Sequence, residues 1–333
     1  MRSENRQFGL AYLDPSEVDG YLARHDGHVL GVIGFGRRIP VAHAPAPIWV
    51  DIPVLGACHH TSLEVWTSDA PVTACDFRNI RGATDGNVLF GSLTLEQGAG
   101  ETLQTLASLA YTHIFEFIDH HNYRNLLRVW HYLPQINDDE NGLERYRGFN
   151  VGRHEAFFAN GRNIGEENVP AASVLGSDSG SFTIYFMAGK QPGKAVENPR
   201  QVSAYHYPHL FGPRSPIFVR AMLATLGKQH CFFISGTASI VGYETVHHGD
   251  VEKQVAETLL NIHALLGQAP HYDATKGRML LKVYLRHTHD LEIVRARVQA
   301  EFGAACKAVY LHSNICRSDL LLEIEGAYFN DAQ

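Results

Sequence analysis

Two carboxylates, Glu323 and Glu325, interrupt an otherwise apolar stretch near the end of the sequence. Side chains on a β-strand alternate between its two faces, so these glutamates would share one face. That face is either exposed to solvent or turned towards a polar cavity. In a cavity, burial or a neighbouring carboxylate would keep one carboxyl protonated near neutral pH, as a general acid requires. The pattern alone favours a strand whose glutamates are solvated. The rest of the sequence has to decide between this interpretation and a polar cavity.

Two clusters of arginine and tyrosine, one in each half of the sequence, could bind the carboxylates of a ligand. The residues of interest are Tyr146 and Arg153 within 144–153, and Tyr207, Arg214 and Arg220 within 205–220. Arginine presents a planar fork that matches a carboxylate, and tyrosine adds a hydroxyl donor. A charged helix face and a rigid connecting loop explain the clusters equally well. If both clusters are functional, they indicate a ligand with two carboxylates.

Small residues at 235–242, including Ala238, follow a predicted buried strand. Such residues let a backbone come close to a ligand, although an ordinary tight turn is the simpler interpretation. The segment lacks the Gly-Lys-Thr ending of a phosphate-binding loop, and the chain has no GxSxG motif. Nucleotide phosphates and an esterase triad therefore have no support.

Histidine is frequent, with 20 residues, and Cys58-His59-His60 is the most metal-like cluster. A zinc site needs three or four converging ligands, and no second cluster has matching spacing. We expect no metal and no other cofactor.

Composition describes an ordinary globular protein: 333 residues, 45% hydrophobic and 19% charged. This length predicts two domains. The formal net charge of -7 argues against nucleic acid as a partner. The sequence shows neither a signal peptide nor a run long enough to span a membrane. Five scattered cysteines fit reduced thiols, so we expect a cytoplasmic protein.

The elements that must position these residues recur in the two halves. Glu101-Thr102-Leu103 returns as Glu257-Thr258-Leu259, and the strand residues 126–130 return as 280–284, roughly 155 residues apart. This spacing predicts a duplicated domain with a linker at 160–181. Helices are predicted at 102–120, 250–266 and 290–302, and strands at 125–133, 278–285, 308–311 and around Glu323. Each half would be an α+β unit with a mixed sheet and two helices on one face, and the crevice between the halves would hold the ligand.

Several separated motifs resemble the chorismatases: RVWHYLPQIN, GLERYRGFNVGR, FGPRSPIFVRA, SGTASIVG and CRSDLLLEIEG. The similarity spans most of 120–328, and residues 230–328 by themselves resemble the RidA/YjgF family. The resemblance implies two RidA/YjgF-like (chorismate mutase-like) domains, at 1–165 with extra N-terminal strands and at 180–333. It also implies a monomer whose modules pack as a pseudo-trimer, with the active site near the C-terminal domain.

The resemblance further implies that chorismate is cleaved with release of pyruvate. Glu323 would be the catalytic acid, with Tyr146, Arg153, Tyr207 and Arg220 binding the carboxylates and Arg214 as an additional candidate. Ala238 and Cys316 would line the ring pocket, where family subtypes differ.

The product expected from Cys316 is 3-hydroxybenzoate, with 4-hydroxybenzoate as a further product. Ala238 leaves open the subtype that hydrolyses chorismate to a dihydroxycyclohexadiene carboxylate. Two other functions stay open: a RidA-like imine deaminase that uses Arg317 beside Glu323, and a non-catalytic binding module for aromatic acids.

Overall fold

The structure is a computed structural model that describes residues 7–43, 45–56, 60–270, 272–273, 275–303 and 306–331. The helices are α1 Pro15–Arg24, α2 Leu103–His120, α3 Arg145–Ala159, α4 Val251–Leu266 and α5 Leu291–Phe302, with short 3-10 turns at Ala204–His206, His209–Phe211 and Thr288–Asp290.

The strands, in chain order, are β1 Gly9–Leu13, β2 Val29–Gly36, β3 Ile48–Val50, β4 Val54–Leu55, β5 Thr61–Thr67, β6 Thr73–Ala74, β7 Arg81–Thr84, β8 Val88–Leu95, β9 Asn125–Pro134, β10 Asp139–Glu140, β11 Leu143–Glu144, β12 Ala171–Ser177, β13 Phe182–Gly189, β14 Lys194–Val196, β15 Ala221–Leu226, β16 Gln229–Thr237, β17 Ile240–Val241, β18 Glu244–Thr245, β19 Arg278–Leu285, β20 Lys307–His312, β21 Asn314–Ile315 and β22 Leu322–Asp331.

Two seven-stranded sheets repeat one topology. The first has the order β21-β12-β9-β13-β8-β7-β6, and the second has β4-β20-β19-β22-β16-β15-β14. In each, a central strand pairs in parallel with one neighbour and antiparallel with the other: β9 with β12 and β13, and β19 with β20 and β22. The α+β class, the mixed sheets and the duplication are therefore confirmed.

Helices α2 and α4 form where the apolar spacing predicts them, and a side chain caps the first turn of each. The Thr102 hydroxyl accepts from the Thr105 backbone N–H at 3.2 Å, and the Asp250 carboxylate accepts from the Lys253 N–H at 3.0 Å. On β16, Phe232 packs with the apolar residues of α4 and α5, whereas Phe233 faces the central core. Alternate residues of one strand therefore serve two cores, with helices on one face of the sheet.

A smaller sheet, β1-β5-β2-β3, carries α1 on its outer face. Its inner face meets both larger sheets, because the Trp66 ring lies 5.7 Å from Trp130 of the first and 6.1 Å from Phe233 of the second. All three sheets thus share one buried core. The pseudo-trimeric arrangement stays a prediction from the resemblance.

Two interpretations of the sequence were wrong. The supposed linker at 160–181 contains β12, which lies beside β9 inside the first sheet. Small residues here let the second sheet approach, rather than marking a flexible connection. The Glu-Thr-Leu repeat does not mark equivalent positions, because Thr102 caps α2 whereas Thr258 lies in the middle of α4.

The domain boundaries at 1–165 and 180–333 stay a prediction. The first large sheet extends past residue 180, since β13 at Phe182–Gly189 belongs to it.

In the described part of the chain, no helix has the length and apolar character needed to cross a bilayer. Cys58 and His59 of the metal-like cluster lie outside the described residues. Among the residues that the structure describes, no group of three or more possible metal ligands comes together.

Candidate active site

A cavity of about 470 Å³ opens between the two large sheets. Residues 172–174 of β12 and the start of α3 form one wall, and β16, β22 and the segment 201–220 form the others. Six of the predicted site residues line it: Tyr146, Tyr207, Arg220, Ala238, Cys316 and Glu323. The crevice between the halves is therefore where these side chains meet.

Glu323 lies on β22 with only 4% of its surface exposed. Its neighbour across the sheet is Gly236 on β16, where an added Cβ would overlap the Glu323 Oε1 atom. Burial, and then the like charge of Glu325, raise the pKa of Glu323 to about 8, although Arg128 acts in the opposite direction. The side chain is accordingly a protonated carboxylic acid at neutral pH.

Glu325, two residues along the same face, is an anion. Lys282 Nζ lies 2.8 Å from its Oε1 atom, and the Tyr284 hydroxyl donates to that atom at 2.9 Å. Arg128 and Ser173 donate to its Oε2 atom. Burial raises the pKa of Glu325, but Lys282 and Arg128 lower it more, so it ends below its ordinary value. The two glutamates that look alike in the sequence therefore hold opposite protonation states.

Arg220 and Tyr207 form the cationic part of the cavity. The Arg220 NH2 group donates to the Tyr207 hydroxyl and to the Val202 carbonyl, both at 2.7 Å. Its Nε atom is buried without a hydrogen-bond partner among the described residues. A buried guanidinium with an unused donor is suited to an anionic ligand.

Tyr146, at the start of α3, keeps its phenolic proton. Burial, followed by the neighbouring Cys316, raises the pKa of Tyr146 well above its usual value. The hydroxyl can therefore donate a hydrogen bond to a carboxylate at any pH that the protein tolerates.

Cys316 and Ala238 contribute small side chains to the wall. Burial, and then Glu323, raise the pKa of Cys316 to about 12, so this side chain is a neutral thiol. Ala238 is 4% exposed. Together they offer a surface for an uncharged ring.

Two predicted residues do not reach the cavity wall. Arg153 is fully buried in α3, with its guanidinium 4.6 Å from the Tyr111 ring centre and 5.5 Å from that of Phe149. Two of its nitrogens lack partners among the described residues. Arg214 is exposed and lies beside another depression, with His154 and Phe158.

The cavity is also lined by residues that were not among the predicted site residues. Arg317, considered above only for imine chemistry, lies with its guanidinium 4.1 Å from the Phe211 ring centre, and it donates to the Tyr243 carbonyl at 2.8 Å. The adjacent Cys316 was the signal that could have identified it. Further lining residues are Glu144, Arg147, Gln201, Phe218, Thr245, His248 and Asp319.

Comparisons with known proteins agree with one another. Residues 64–188 match the family described as chorismatase FkbO/Hyg5-like, N-terminal. A 3-hydroxybenzoate synthase from Streptomyces hygroscopicus is 37% identical over 276 residues, covering 79% of this chain and 80% of that protein. A chorismatase from Streptomyces rapamycinicus is 37% identical over 274 residues, covering 79% and 81%. A crystal structure of a chorismatase superposes with a TM-score of 0.83 at 31% identity, over 96% of this chain and 98% of that one.

Proposed function

Because this chain belongs to the chorismatase family, we propose that it cleaves chorismate to pyruvate and a hydroxybenzoate with Glu323 as the acid. The observation that carries the proposal is the buried Glu323 carboxyl at the cavity wall, with its pKa raised to about 8. An enol ether is activated by a proton on carbon, and a carboxylic acid that stays protonated at neutral pH can supply it.

Chorismate is a dianion with one carboxylate on the ring and one on the enolpyruvyl group. We assign the binding of these carboxylates to Arg220, Tyr207 and Tyr146, which are donors at the cavity wall. We place Arg153 behind the wall, close enough to Tyr146 for that side chain to influence the pKa of the Arg153 guanidinium. Arg214 would reach the substrate only if the segment 205–220 moved.

In the chemical step, Glu323 transfers its proton to the terminal methylene carbon of the enolpyruvyl group. The adjacent carbon becomes an oxocarbenium ion, and the fragment can then leave as pyruvate rather than as its enolate. The bond between ring C3 and the enolpyruvyl oxygen breaks, and its electron pair completes the carbonyl group of pyruvate. If the 4-hydroxyl oxygen stays on C4, 4-hydroxybenzoate results; if it bonds to C3 and its bond to C4 breaks, 3-hydroxybenzoate results. In either case the ring loses one proton as it becomes aromatic. Pyruvate and hydroxybenzoate then contain every atom of chorismate, so neither water nor a redox cofactor is needed.

We favour 3-hydroxybenzoate as the product, with 4-hydroxybenzoate as a further one. The support is a relative named 3-hydroxybenzoate synthase and the neutral Cys316 thiol beside Ala238. Attack by water on the oxocarbenium carbon would instead give the dihydroxycyclohexadiene carboxylate. The outcome therefore depends on whether the cavity admits water next to that carbon.

The test is to incubate the purified protein with chorismate, without added metal or nucleotide, and to follow pyruvate and aromatic products by chromatography. We expect release of pyruvate together with a hydroxybenzoate. Glu323→Gln should lose turnover by at least about 100-fold while it still binds chorismate, because glutamine keeps the shape without the proton. Unchanged turnover in this variant would remove Glu323 from the mechanism.

The same assay addresses the two other functions. An imine deaminase would need an arginine free to hold its substrate beside Glu323, whereas the Arg317 guanidinium lies over Phe211. A binding module would bind chorismate and release no pyruvate. We further propose a cytoplasmic location, supported by the free thiols of Cys75, Cys231, Cys306 and Cys316. The monomer implied by the family resemblance is a separate proposal, and light scattering after size exclusion would measure its mass.

A further inference from the structure

Glu325 lies at the junction of the cavity wall and a buried network of charges. Lys282 Nζ bridges the Glu325 carboxylate at 2.8 Å and the Glu64 carboxylate at 2.7 Å. Arg128 contacts the other Glu325 oxygen and donates to the Ser173 hydroxyl at 3.0 Å. All four charged side chains are at most 3% exposed.

The charges of this network balance one another, with two cations and two carboxylates. Glu64 is satisfied further by the Trp66 indole N–H at 2.7 Å and the Tyr185 hydroxyl at 3.2 Å. Each cation is directed at Glu325, so neither forms an ion pair with Glu323 among the described residues. Strand alternation nevertheless puts Glu323 on the same face as Glu325.

We infer that Glu325 is a positioning residue for the acid, because it holds the buried cations Lys282 and Arg128 on itself and presents a fixed negative charge to Glu323. This inference rests on the proposed function, in which Glu323 must carry a proton. Without Glu325, two strong cations would lie in the same low-dielectric region with one carboxylate fewer to compensate them. Glu323 would then become their counter-ion and lose its proton at a lower pH.

The other groups that face Glu323 do not supply this effect. Arg128, reaching across from β9, lowers the pKa of Glu323. Tyr146 from α3, Tyr284 from β19 and the Cys316 thiol all stay neutral because burial raises their pKa values. Burial itself is the largest cause of the raised pKa of Glu323, and Glu325 is the next. Glu325 is thus the fixed anion among the groups that act on the acid.

The experiment is the pH dependence of kcat/KM for chorismate, which reports the ionisation of Glu323 in the free enzyme. The wild-type rate should fall as pH rises through about 8, where Glu323 deprotonates. In Glu325→Gln this fall should occur about one to three pH units lower. The double variant Lys282→Met/Glu325→Gln keeps the net charge of the network but removes the Glu325 anion. The fall in its rate should therefore also occur at a lower pH than in the wild type. Tyr284→Phe removes a neutral hydroxyl that bonds Glu325 and Tyr132 and changes no charge, so the fall in the rate should stay near the wild-type position.

A purely structural role for Glu325 predicts a different result. The rate would then decrease by the same factor at every pH, and an unmoved fall in both Glu325 variants would overturn the inference. Infrared spectra of the wild type and of Glu323→Gln, each recorded as the pH is changed, show the protonation state of Glu323 without any measurement of turnover. A protonated carboxyl band that belongs to Glu323 and persists at pH 7 is expected, and its loss near the ordinary glutamate pKa would overturn the inference. Absence of pyruvate release by the wild type would instead refute the proposed function, and the infrared titration, repeated in Glu325→Gln, would then decide whether Glu325 keeps the proton on Glu323.

Discussion

At the scale of single residues, the proton on Glu323 makes activity depend on pH in one direction. A carboxyl whose pKa is raised to about 8 is protonated below that pH and ionised above it. Since the proposed step consumes this proton, kcat/KM should be nearly constant around neutral pH and fall about tenfold per unit at pH values well above 8. Pyruvate release measured across this range, with enzyme stability checked at each pH, tests the expectation. A rate that rises with pH instead would indicate a general base.

Gly236 determines where the acid can sit. A Cβ at this position would overlap the Glu323 Oε1 atom and approach the Ser173 Cβ to 3.3 Å. Gly236→Ala should therefore displace the carboxyl by a fraction of an ångström or more and lower kcat by about 10- to 100-fold. Gly165→Ala is the matched control, because its Cβ would meet nothing within 4 Å. Equal kcat values for the two variants would show that the close approach of β16 is not needed for the reaction.

The strand pattern was sufficient to select Glu323 and Glu325 but not to tell their roles apart; the assignment of Glu323 as the acid came from the family resemblance. Their spacing on a strand follows from alternation alone. Their opposite protonation states follow from partners that are distant along the chain: Arg128 is 197 residues from Glu325, and Tyr284 is 41. The same limit applies to Arg153 and Arg214. Both belong to arginine clusters in the sequence, but the helix turns one into the core and the loop leaves the other in solvent.

At the scale of elements, the segment 201–220 covers one side of the cavity through a stack of side chains. Phe211 lies between the Arg317 guanidinium, at 4.1 Å from its ring centre, and the Tyr243 ring, at 5.8 Å. Backbone hydrogen bonds anchor the two ends of the segment, from Val202 to Gly242 and from Val219 to Pro170. Its middle contains only short 3-10 turns, so side-chain contacts hold that part in place.

Phe211→Ala should loosen this segment, because it removes the ring on which Arg317 stacks. We expect KM for chorismate to rise about 10-fold or more, with a smaller change in kcat, since Tyr207 in the same segment is a proposed carboxylate donor. Leu210→Ala is the control, because the Leu210 side chain, next to Phe211 in the sequence, is 75% exposed and does not line the cavity. Steady-state kinetics of both variants decides. A similar KM for both would mean that the stack does not organise the site.

Helices were easier to predict than the strand beside the cavity. Apolar spacing and the Asp250 cap identify α4 nearly to the residue. β12 was missed because Ala171, Ala172 and Ser173 lack the branched side chains that are typical of strands. Those small residues are the ones that let the second sheet come close enough to enclose the cavity.

At the scale of the whole molecule, Lys282 joins the three sheets. Its ammonium group contacts Glu64 of the small sheet at 2.7 Å, the Tyr185 hydroxyl of the first large sheet at 2.6 Å and Glu325 of its own sheet at 2.8 Å. Burial lowers the pKa of Lys282, but Glu325 and Glu64 raise it more, so this side chain stays a cation. The sequence shows that the strand repeats, but not that its lysine meets carboxylates from two other strands.

Lys282→Met should therefore destabilise the protein as a whole. It leaves the Glu64 and Glu325 carboxylates buried beside each other with only Arg128 to compensate them, and removing one partner of a buried ion pair costs about 3–5 kcal/mol of unfolding free energy. Lys253→Met is the matched control, since its pair with Asp250 at 2.8 Å is on the surface, where water and salt screen it, and its loss should change the stability little. Urea unfolding of both variants measures the difference. Adding Glu64→Gln to Lys282→Met restores the balance of charge and should recover part of the loss, because the penalty comes from an uncompensated anion rather than from a lost contact. If the double variant were as unstable as Lys282→Met, packing around the lysine rather than charge would be what holds the three sheets together.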